Sequence, residues 1–369
     1  MAYFRYTNIM ESKLPILLSG LQPSGKLHIG NYLGMLKHSV QLQNSNKYKT
    51  FFFIADYHSL TEDFNSDEKK EQILELMTSF MAVGLDPSKS TLFLQSEVSQ
   101  HAELMWILSS LAPMGDLRRM TQFKDKSNKQ SRKHYIDDSN IKNIEKLESS
   151  DELEIKYTEE ANVGLFTYPI LMAADIILYN VNFVPVGDDQ LQHLELARTL
   201  VRKFNKIYGE TFIEPKSLLS NFPRIMSLTD PNRKMSKSEP KGCLFLTDTE
   251  ELIHDKIKKA VTDSGSEVIY DEEKKPALAN LLKIWSGVTD KTINQILESS
   301  QMNSYSKFKE QMAIEVAASL AHYREKYSKL IKDEKHVLET FKVGTEVAKD
   351  LASKKLRDIK QKIGFICFE

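Results

Sequence analysis

Short apolar runs alternate with longer amphipathic stretches through the first hundred residues. Residues 14–18, 50–55 and 91–95 have the length and composition of buried strands. Between them, residues 31–42 and 67–83 carry apolar positions at helical spacing. Strands that alternate with helices predict a parallel sheet covered on both faces. The predicted fold class is α/β, a doubly wound, Rossmann-like nucleotide-binding domain that binds ligands at the carboxyl ends of its strands.

Two later changes of pattern suggest how the rest of the chain is divided. Residues 126–162 are rich in Lys, Glu, Ser and Asp and contain no Gly or Pro, which predicts a polar insert. After residue 248 the apolar spacing is helical almost throughout. The predicted parts are an N-terminal extension, a catalytic domain that contains the insert, and an all-helical C-terminal domain, at residues 1–13, 14–248 and 249–369.

Composition narrows the class of protein. With 41% hydrophobic and 27% charged residues, the 369-residue chain has the make-up of a globular protein large enough for two structural units. Its formal charge of −1 indicates that RNA would be bound by local basic patches, and we expect no DNA partner. Cys243 and Cys367 have neither disulfide-framework nor zinc-site spacing. No apolar run approaches the length of a membrane span, so we expect no membrane association.

The first candidate site is the turn after the first strand, residues 19–31, which reads SGLQPSGKLHIGN. A helix that begins after such a turn offers free N–H groups to phosphate oxygens, and glycine lets a nucleotide approach the backbone closely. His28 and Asn31 can add polar contacts. A purely structural strand-to-helix turn is the alternative, because glycine-rich turns are common.

A basic loop at residues 229–240 is the second candidate site. It contains Arg233, Lys234 and Lys237 together with the hydroxyls of Ser236 and Ser238. Three cations and two hydroxyls suit a pyrophosphate that gathers negative charge as it leaves. A solvated basic surface loop is the alternative, but the presence of the first turn in the same chain favours phosphate binding.

These two segments resemble the signatures of class I aminoacyl-tRNA synthetases. Residues 234–238 spell KMSKS, and residues 28–31, HIGN, are similar to the HIGH motif, with the asparagine that is usual in tryptophanyl members. Further segments resemble the bacterial and organellar tryptophanyl-tRNA synthetases: residues 22–25, 120–124, 169–176 and 184–190. The resemblance implies a ligase that activates tryptophan with ATP, with Mg²⁺ carried by the nucleotide, and transfers it to tRNA(Trp). It also implies that the helical domain at residues 249–369 binds the tRNA anticodon.

The resemblance also implies roles for individual residues. His28, Lys234 and Lys237 are the candidate catalytic residues, acting on the phosphates, and no side chain is expected to bind a metal. The candidate ATP-binding residues are Gln22, Pro23, Ser24, Gly30, Asn31, Gly187, Asp188, Asp189, Ile225, Lys234, Met235, Ser236, Lys237 and Ser238. The candidate tryptophan-binding residues are Tyr168, Met172, Asp175 and Gln190, with Asp175 accepting the indole N–H.

Helical spacing supports the assignment of Asp175 independently. Tyr168, Met172, Asp175 and Tyr179 would share one face if residues 168–178 are helical. Indole has a large apolar surface and one N–H donor, which calls for one acceptor among sulfur and aromatic neighbours. The alternative is an aspartate that caps or salt-bridges a neighbouring element. His58, after the second strand, is interpreted as a pocket-wall or structural residue rather than an acid–base group.

Two basic clusters could contact tRNA phosphates, although a solvated surface explains each equally well. The clusters are Arg118, Arg119, Lys124, Lys126, Lys129, Arg132 and Lys133, and Lys354, Lys355, Arg357, Lys360 and Lys362.

Three other functions remain open: a tyrosyl enzyme with the same signatures, another adenylate-forming transferase such as a pantothenate-type ligase, and an RNA-binding module descended from a synthetase. The resemblance implies a homodimer, with the segment between the halves of the nucleotide fold at the interface. The polar insert and residues 56–59 resemble mitochondrial members, which favours the mitochondrial matrix over a bacterial cytoplasm.

Overall fold

The computed structural model describes residues 14–62, 64–121, 162–187, 190–219, 224–265, 267–299 and 304–368. The predicted extension 1–13, residues 126–161 of the predicted insert, and Asp188 and Asp189 lie outside the described residues. No helix in these ranges is long and apolar enough to cross a membrane.

Within these ranges, five parallel strands form the sheet, in the order β3-β2-β1-β4-β5. They are β1 Ile16–Leu21, β2 Lys49–Ile54, β3 Ser90–Leu94, β4 Phe183–Val186 and β5 Lys216–Leu219. The first three correspond to the three predicted strands, and the parallel order confirms the predicted α/β class. The strand order reverses between β1 and β4, so a ligand crevice is expected at the carboxyl ends of these two strands.

Helices cover both faces of the sheet. Helix α1 has three consecutive stretches, Ile29–Asn31, the π-helical Tyr32–Leu36 and Lys37–Asn44, where the sequence predicted one regular helix. The others are α2 Ser66–Ala82, α3 Gln100–Ser109, α4 Met114–Arg118, α5 Val163–Ile177, α6 Leu191–Tyr208, α7 Glu250–Lys259, α8 Pro276–Thr289, α9 Ile293–Ser299, α10 Tyr305–Leu330 and α11 Glu334–Lys362. The region after residue 249 is helical, as predicted.

The sheet separates two hydrophobic cores because neighbouring strand residues point to opposite faces. Leu17 of β1 belongs to the core that includes Trp285 of α8 and Phe308 of α10. Leu18 belongs to the other core, with α5 and α6 residues such as Leu165 and Leu200. The helices after residue 249 are therefore packed directly against the nucleotide-binding sheet.

Helix α11 covers the outer edge of β3 and joins both cores. A Cβ on Gly344 would lie 1.9 Å from the carbonyl oxygen of Leu92, so only glycine allows this approach. The next residue, Thr345, accepts a hydrogen bond from the backbone N–H of Leu94 through its Oγ1 at 3.2 Å. A helix in this position protects a strand edge that would otherwise be open to pairing with another chain.

Candidate active site

His28 caps helix α1 and fixes the turn that follows β1. Its Nδ1 accepts the Gly30 N–H at 3.1 Å, and its own N–H donates to the Asn31 Oδ1 at 3.2 Å. A Cβ on Gly30 would lie 2.9 Å from the imidazole, so any larger residue there would displace the ring. Asn31 thus has a structural role in this turn, as the second half of a reciprocal cap.

The first N–H groups of α1 already have partners, which corrects the expectation that they are free for phosphate. Ile29 N–H donates to the Leu244 carbonyl at 2.8 Å and Asn31 N–H to the His28 carbonyl at 2.9 Å, while Gly30 is bonded to the His28 ring. Phosphate contacts in this arrangement would come from side chains instead.

The His28 imidazole is suited to donate without carrying a charge. Burial, reinforced by Lys237 and Lys234, lowers the pKa of His28 to about 4, so the ring is neutral at pH 7. Because Nδ1 accepts a hydrogen bond, the proton of the neutral ring is on Nε2. His28 therefore offers one N–H donor, with two cationic side chains in its electrostatic environment.

Lys237 joins the basic loop to the first turn. Its Nζ donates to the Gly25 carbonyl at 2.8 Å and to the Oγ and carbonyl oxygen of Ser24 at 3.0 and 3.2 Å. Burial lowers the pKa of Lys237 to about 8. The KMSKS segment thus directly contacts the turn of residues 19–31 that ends in HIGN (the HIGN turn), at Ser24 and Gly25.

Backbone pairing holds the basic loop and the segments on either side of it. Met226 and Lys234 form an antiparallel bridge, and His28 and Phe245 form a second one. Met235 is buried, and its N–H donates to the Ile225 carbonyl at 3.1 Å. The loop is therefore fixed at its base, while Lys234, Ser236 and Ser238 remain exposed on its outer side.

A cavity of about 350 Å³ lies at the carboxyl ends of β1 and β4, where the strand order reverses. This volume is within the range of small-molecule sites. The lining includes the predicted residues Gln22, Tyr168, Met172, Asp175, Gly187 and Gln190. Gly20 of the first candidate turn also lines it, together with Phe53, Met35 and His38, which sequence reasoning did not single out.

Asp175 is almost completely buried, with 1% exposure, and its carboxylate is held by three side chains. Oδ1 lies 2.6 Å from the His101 Nδ1, Oδ2 lies 2.9 Å from the His58 Nε2, and the Gln95 Nε2 is within 2.9 Å of both oxygens. Burial raises the pKa of Asp175, but the attraction and hydrogen bonds of His101 and His58 outweigh it and lower the pKa to about 2. Asp175 is an ionised acceptor at pH 7.

Both interpretations of Asp175 therefore have support, since it lines the cavity and also bonds to neighbouring elements. An ionised carboxylate has about four acceptor sites, and its four contacts come from three side chains, so an indole N–H would share an oxygen with one of these donors or displace it. His58 lines the cavity, as the pocket-wall interpretation predicted. Tyr179 does not line this cavity: α5 ends at Ile177, and the Tyr179 hydroxyl contacts the His101 Nε2 at 2.8 Å.

The remaining predicted residues lie around the turn and loop or outside the described part. Pro23 is buried in the turn. Ile225 lies next to Gly30, since a Cβ placed on Gly30 would be 3.7 Å from the Ile225 Cβ. Only Arg118 and Arg119 of the first basic cluster are described. Cations of the second basic cluster, on α11, hydrogen-bond to other residues of this protein; for example, the Lys362 Nζ donates to the Glu210 carbonyl at 2.9 Å. Within the described residues, no three His, Cys, Asp or Glu side chains converge on a metal position.

The contact between the KMSKS loop and the HIGN turn, at the switch point of a parallel sheet, defines a class I aminoacyl-tRNA synthetase. The family model for class I tRNA synthetases (W and Y) matches residues 10–321. A tryptophan–tRNA ligase of Caldanaerobacter subterraneus is 42% identical over 353 residues, which cover 95% of this chain and 98% of that protein. The chain belongs to the tryptophanyl-tRNA synthetase family.

Solved structures agree with this membership. The tryptophanyl-tRNA synthetase of Mycoplasma pneumoniae superposes with a TM-score of 0.77 at 31% identity, covering 96% of this chain and 98% of that one. The Campylobacter jejuni enzyme, complexed with ADP and tryptophan, has a TM-score of 0.74 at 34% identity, covering 95% and 99%. The likeness extends over the sheet and the C-terminal helices alike.

Proposed function

We propose that this chain activates tryptophan with ATP and transfers it to the 3′ end of tRNA(Trp). One observation carries the assignment of the amino acid: an ionised, buried Asp175 in a cavity that opens beside the His28 turn and is otherwise lined mainly by apolar atoms. A charged acceptor in a mainly apolar cavity matches the single N–H and large apolar surface of indole. The tryptophan–tRNA ligases among its relatives support the same substrate.

The reaction has two displacement steps. An oxygen of the tryptophan carboxylate attacks the α-phosphorus of ATP, the bond from that phosphorus to the bridging oxygen breaks, and pyrophosphate leaves. A hydroxyl of the terminal ribose of the tRNA then attacks the carbonyl carbon of the adenylate, and AMP leaves. Neither step needs a nucleophile from the protein, so its contribution is positioning and electrostatic stabilisation.

We assign this stabilisation to three side chains around the turn. The His28 Nε2–H would donate to a phosphate oxygen, and the Lys234 and Lys237 ammonium groups would bind the departing pyrophosphate. Lys237 would have to exchange its contacts with Ser24 and Gly25 for contacts with phosphate. Mg²⁺ supplies charge neutralisation and would arrive with the phosphates, in keeping with a donor set dominated by cations.

The amino-acid assignment is tested by ATP/pyrophosphate exchange with each of the twenty amino acids. We expect exchange with tryptophan alone, lost in Asp175→Ala and retained in the surface control Asp255→Ala. Exchange with tyrosine would identify a tyrosyl enzyme instead. Absence of exchange with every amino acid, together with binding of tRNA, would identify an RNA-binding module, and absence of both would favour another adenylate-forming enzyme.

We also propose a homodimer whose interface includes helices α3 to α5, which connect the two halves of the nucleotide fold. Large apolar side chains there are exposed to solvent: Trp106 by 80%, Met114 by 59% and Val163 by 75%. Exposed apolar side chains of this size are a feature of interaction surfaces. Sedimentation should give a dimer for the wild type and a monomer for Trp106→Glu, while Ile207→Glu, at a 58% exposed position on α6, should stay dimeric.

The mitochondrial matrix remains our proposal for the compartment, on the likeness of the polar insert and residues 56–59 to mitochondrial members. The relatives described above are bacterial proteins, which supports a bacterial cytoplasm as the alternative. Imaging fluorescent fusions with and without residues 1–13 distinguishes the two: matrix localisation that depends on these residues is expected, and diffuse signal from both fusions would contradict it.

A further inference from the structure

His101 lies behind the cavity with both ring nitrogens occupied. It is fully buried, and its Nδ1 and Nε2 lie 2.6 Å from Asp175 Oδ1 and 2.8 Å from the Tyr179 hydroxyl. Its ring is held between aromatic neighbours, with centroids 6.1 Å from Phe93 and 6.3 Å from Phe53, both nearly parallel. The imidazole therefore has a fixed position and two fixed hydrogen-bonding directions.

Hydrogen-bond accounting assigns the direction of each contact. An ionised carboxylate only accepts, so the His101 Nδ1 donates to Asp175. When the ring is neutral, the Tyr179 hydroxyl donates to Nε2, and the polar hydrogens of both His101 and Tyr179 have partners. Burial, with the charge of Asp175, raises the pKa of Tyr179 well above its usual value, so that hydroxyl keeps its proton. The order is Tyr179 O–H to His101, and His101 N–H to Asp175.

The two carboxylate oxygens of Asp175 consequently have different surroundings. His101 does not line the cavity, and it binds Oδ1. His58 does line the cavity, and it binds Oδ2. Oδ2 is thus the oxygen on the side of the cavity-wall histidine, and Oδ1 is held from behind.

We propose that His101, oriented by Tyr179, is a positioning residue for the selection of tryptophan. Its Nδ1–H holds Oδ1 of Asp175 from behind and so fixes the direction of Oδ2, where the indole N–H would share the oxygen with His58 and Gln95 or displace one of them. This inference rests on the proposed function, in which Asp175 binds the indole. It adds that selectivity depends on two residues that do not line the cavity, one of them 74 positions from Asp175 in the sequence.

The test compares tryptophan with 3-(benzothiophen-3-yl)alanine, in which sulfur replaces the N–H group at similar volume. The measured quantity is the ratio of the Kd of the analogue to the Kd of tryptophan, from equilibrium dialysis of the full chain. His101→Leu removes the donor to Asp175, whereas His101→Asn keeps an amide N–H near the position of Nδ1. Tyr179→Phe removes only the orienting hydroxyl. Tyr323→Phe, which removes an equally buried hydroxyl bonded to Ser79 at 3.1 Å, is the matched control.

We expect the ratio to fall about 10- to 100-fold in His101→Leu and about two- to tenfold in Tyr179→Phe, from the usual strength of charged and neutral hydrogen bonds. His101→Asn should restore much of the loss, and Tyr323→Phe should match the wild type. A merely structural role would weaken both ligands equally and leave the ratio unchanged.

An unchanged ratio in folded His101→Leu overturns the proposal. If that variant does not fold, an unchanged ratio in Tyr179→Phe overturns it. Failure of the proposed function has a different signature, because the wild type would then show no tryptophan-dependent exchange and no preference for tryptophan over its analogue.

Discussion

Replacing Lys237 with alanine removes the ammonium group that connects the basic loop to the first turn. The lost contacts are three, to the Gly25 carbonyl and to two oxygens of Ser24, at 2.8 to 3.2 Å. If the same group binds the departing pyrophosphate, its loss should slow adenylate formation by about 10²- to 10³-fold, the usual effect of one preorganised donor on developing charge. Tryptophan binding should change little, because Lys237 does not line the cavity around Asp175.

The pH dependence of kcat/KM for ATP tests the role of Lys237 independently. Because burial lowers the pKa of Lys237 to about 8, its side chain carries a positive charge at pH 7 and loses that charge as the pH rises through 8. The value of kcat/KM for ATP, which reports ionisation in the free enzyme, should therefore decline above pH 8. In Lys237→Arg that decline should disappear, since a guanidinium stays charged throughout this range.

Single-turnover formation of tryptophanyl-adenylate measures the chemical step, and tryptophan titration measures binding. Lys241→Ala, at an exposed position four residues further along the same segment, controls for a general loss of positive charge. Unchanged adenylation in Lys237→Ala would refute the assigned role. A wild-type kcat/KM that stays level to pH 9.5 would refute the electrostatic reasoning even if the alanine variant were slow.

Three further predictions concern packing and acid stability. Gly344→Ala should lower the free energy of unfolding by about 1–3 kcal/mol in urea titration, as overpacking does, whereas Gly115→Ala, which meets only the Arg119 side chain at 3.6 Å, should not. Gly20→Ala should raise the KM for tryptophan in exchange assays, because its Cβ would lie 2.4 Å from the Phe53 ring at the cavity wall; an unchanged KM would contradict this. The pKa of Asp175 is lowered from 3.8 to about 2, so its ionisation contributes about 2 kcal/mol to the free energy of unfolding. This contribution is present above pH 4 and is lost as the pH falls through 2. The free energy of unfolding of Asp175→Asn should therefore depend less steeply on pH in that range.

Strands and helices with a strong local pattern were predictable from the sequence. The first three strands and helix α2 lie within a few residues of their predicted positions, because each buries a regular apolar face. Residues 168–178, considered only as a possible helix, fall largely within α5, which begins five residues earlier at Val163. Strand β4 was not predicted as a strand, since it has only four residues, including Pro185. The π-helical turn of α1 was not predicted either, because residues 31–42 fit an ordinary helical period.

The residues of the candidate site also differ in how well the sequence predicts them. Its motif residues could be found because they are contiguous, as HIGN and KMSKS are. The surroundings of Asp175 could not, because Gln95 directly follows β3 and His101 lies in α3, and nothing near Asp175 in the sequence identifies them as its partners. The use of the α1 N–H groups was mispredicted for two reasons. His28 itself accepts from Gly30 and Asn31, and the segment around Leu244, more than two hundred residues later, returns to accept from Ile29.

The close approach of Gly344 to Leu92 also bears on the order in which the protein is made. A ribosome synthesises β3 well before it reaches α11, and 250 residues separate Leu94 from Gly344. Throughout that interval the outer edge of β3 has no covering helix, and such an edge is open to pairing with other nascent chains. The nucleotide-binding sheet therefore cannot reach its native packing while it is being synthesised. The last element that packs against it, α11, belongs to the helical region. Chaperone binding to nascent chains is expected to persist until α11 has emerged.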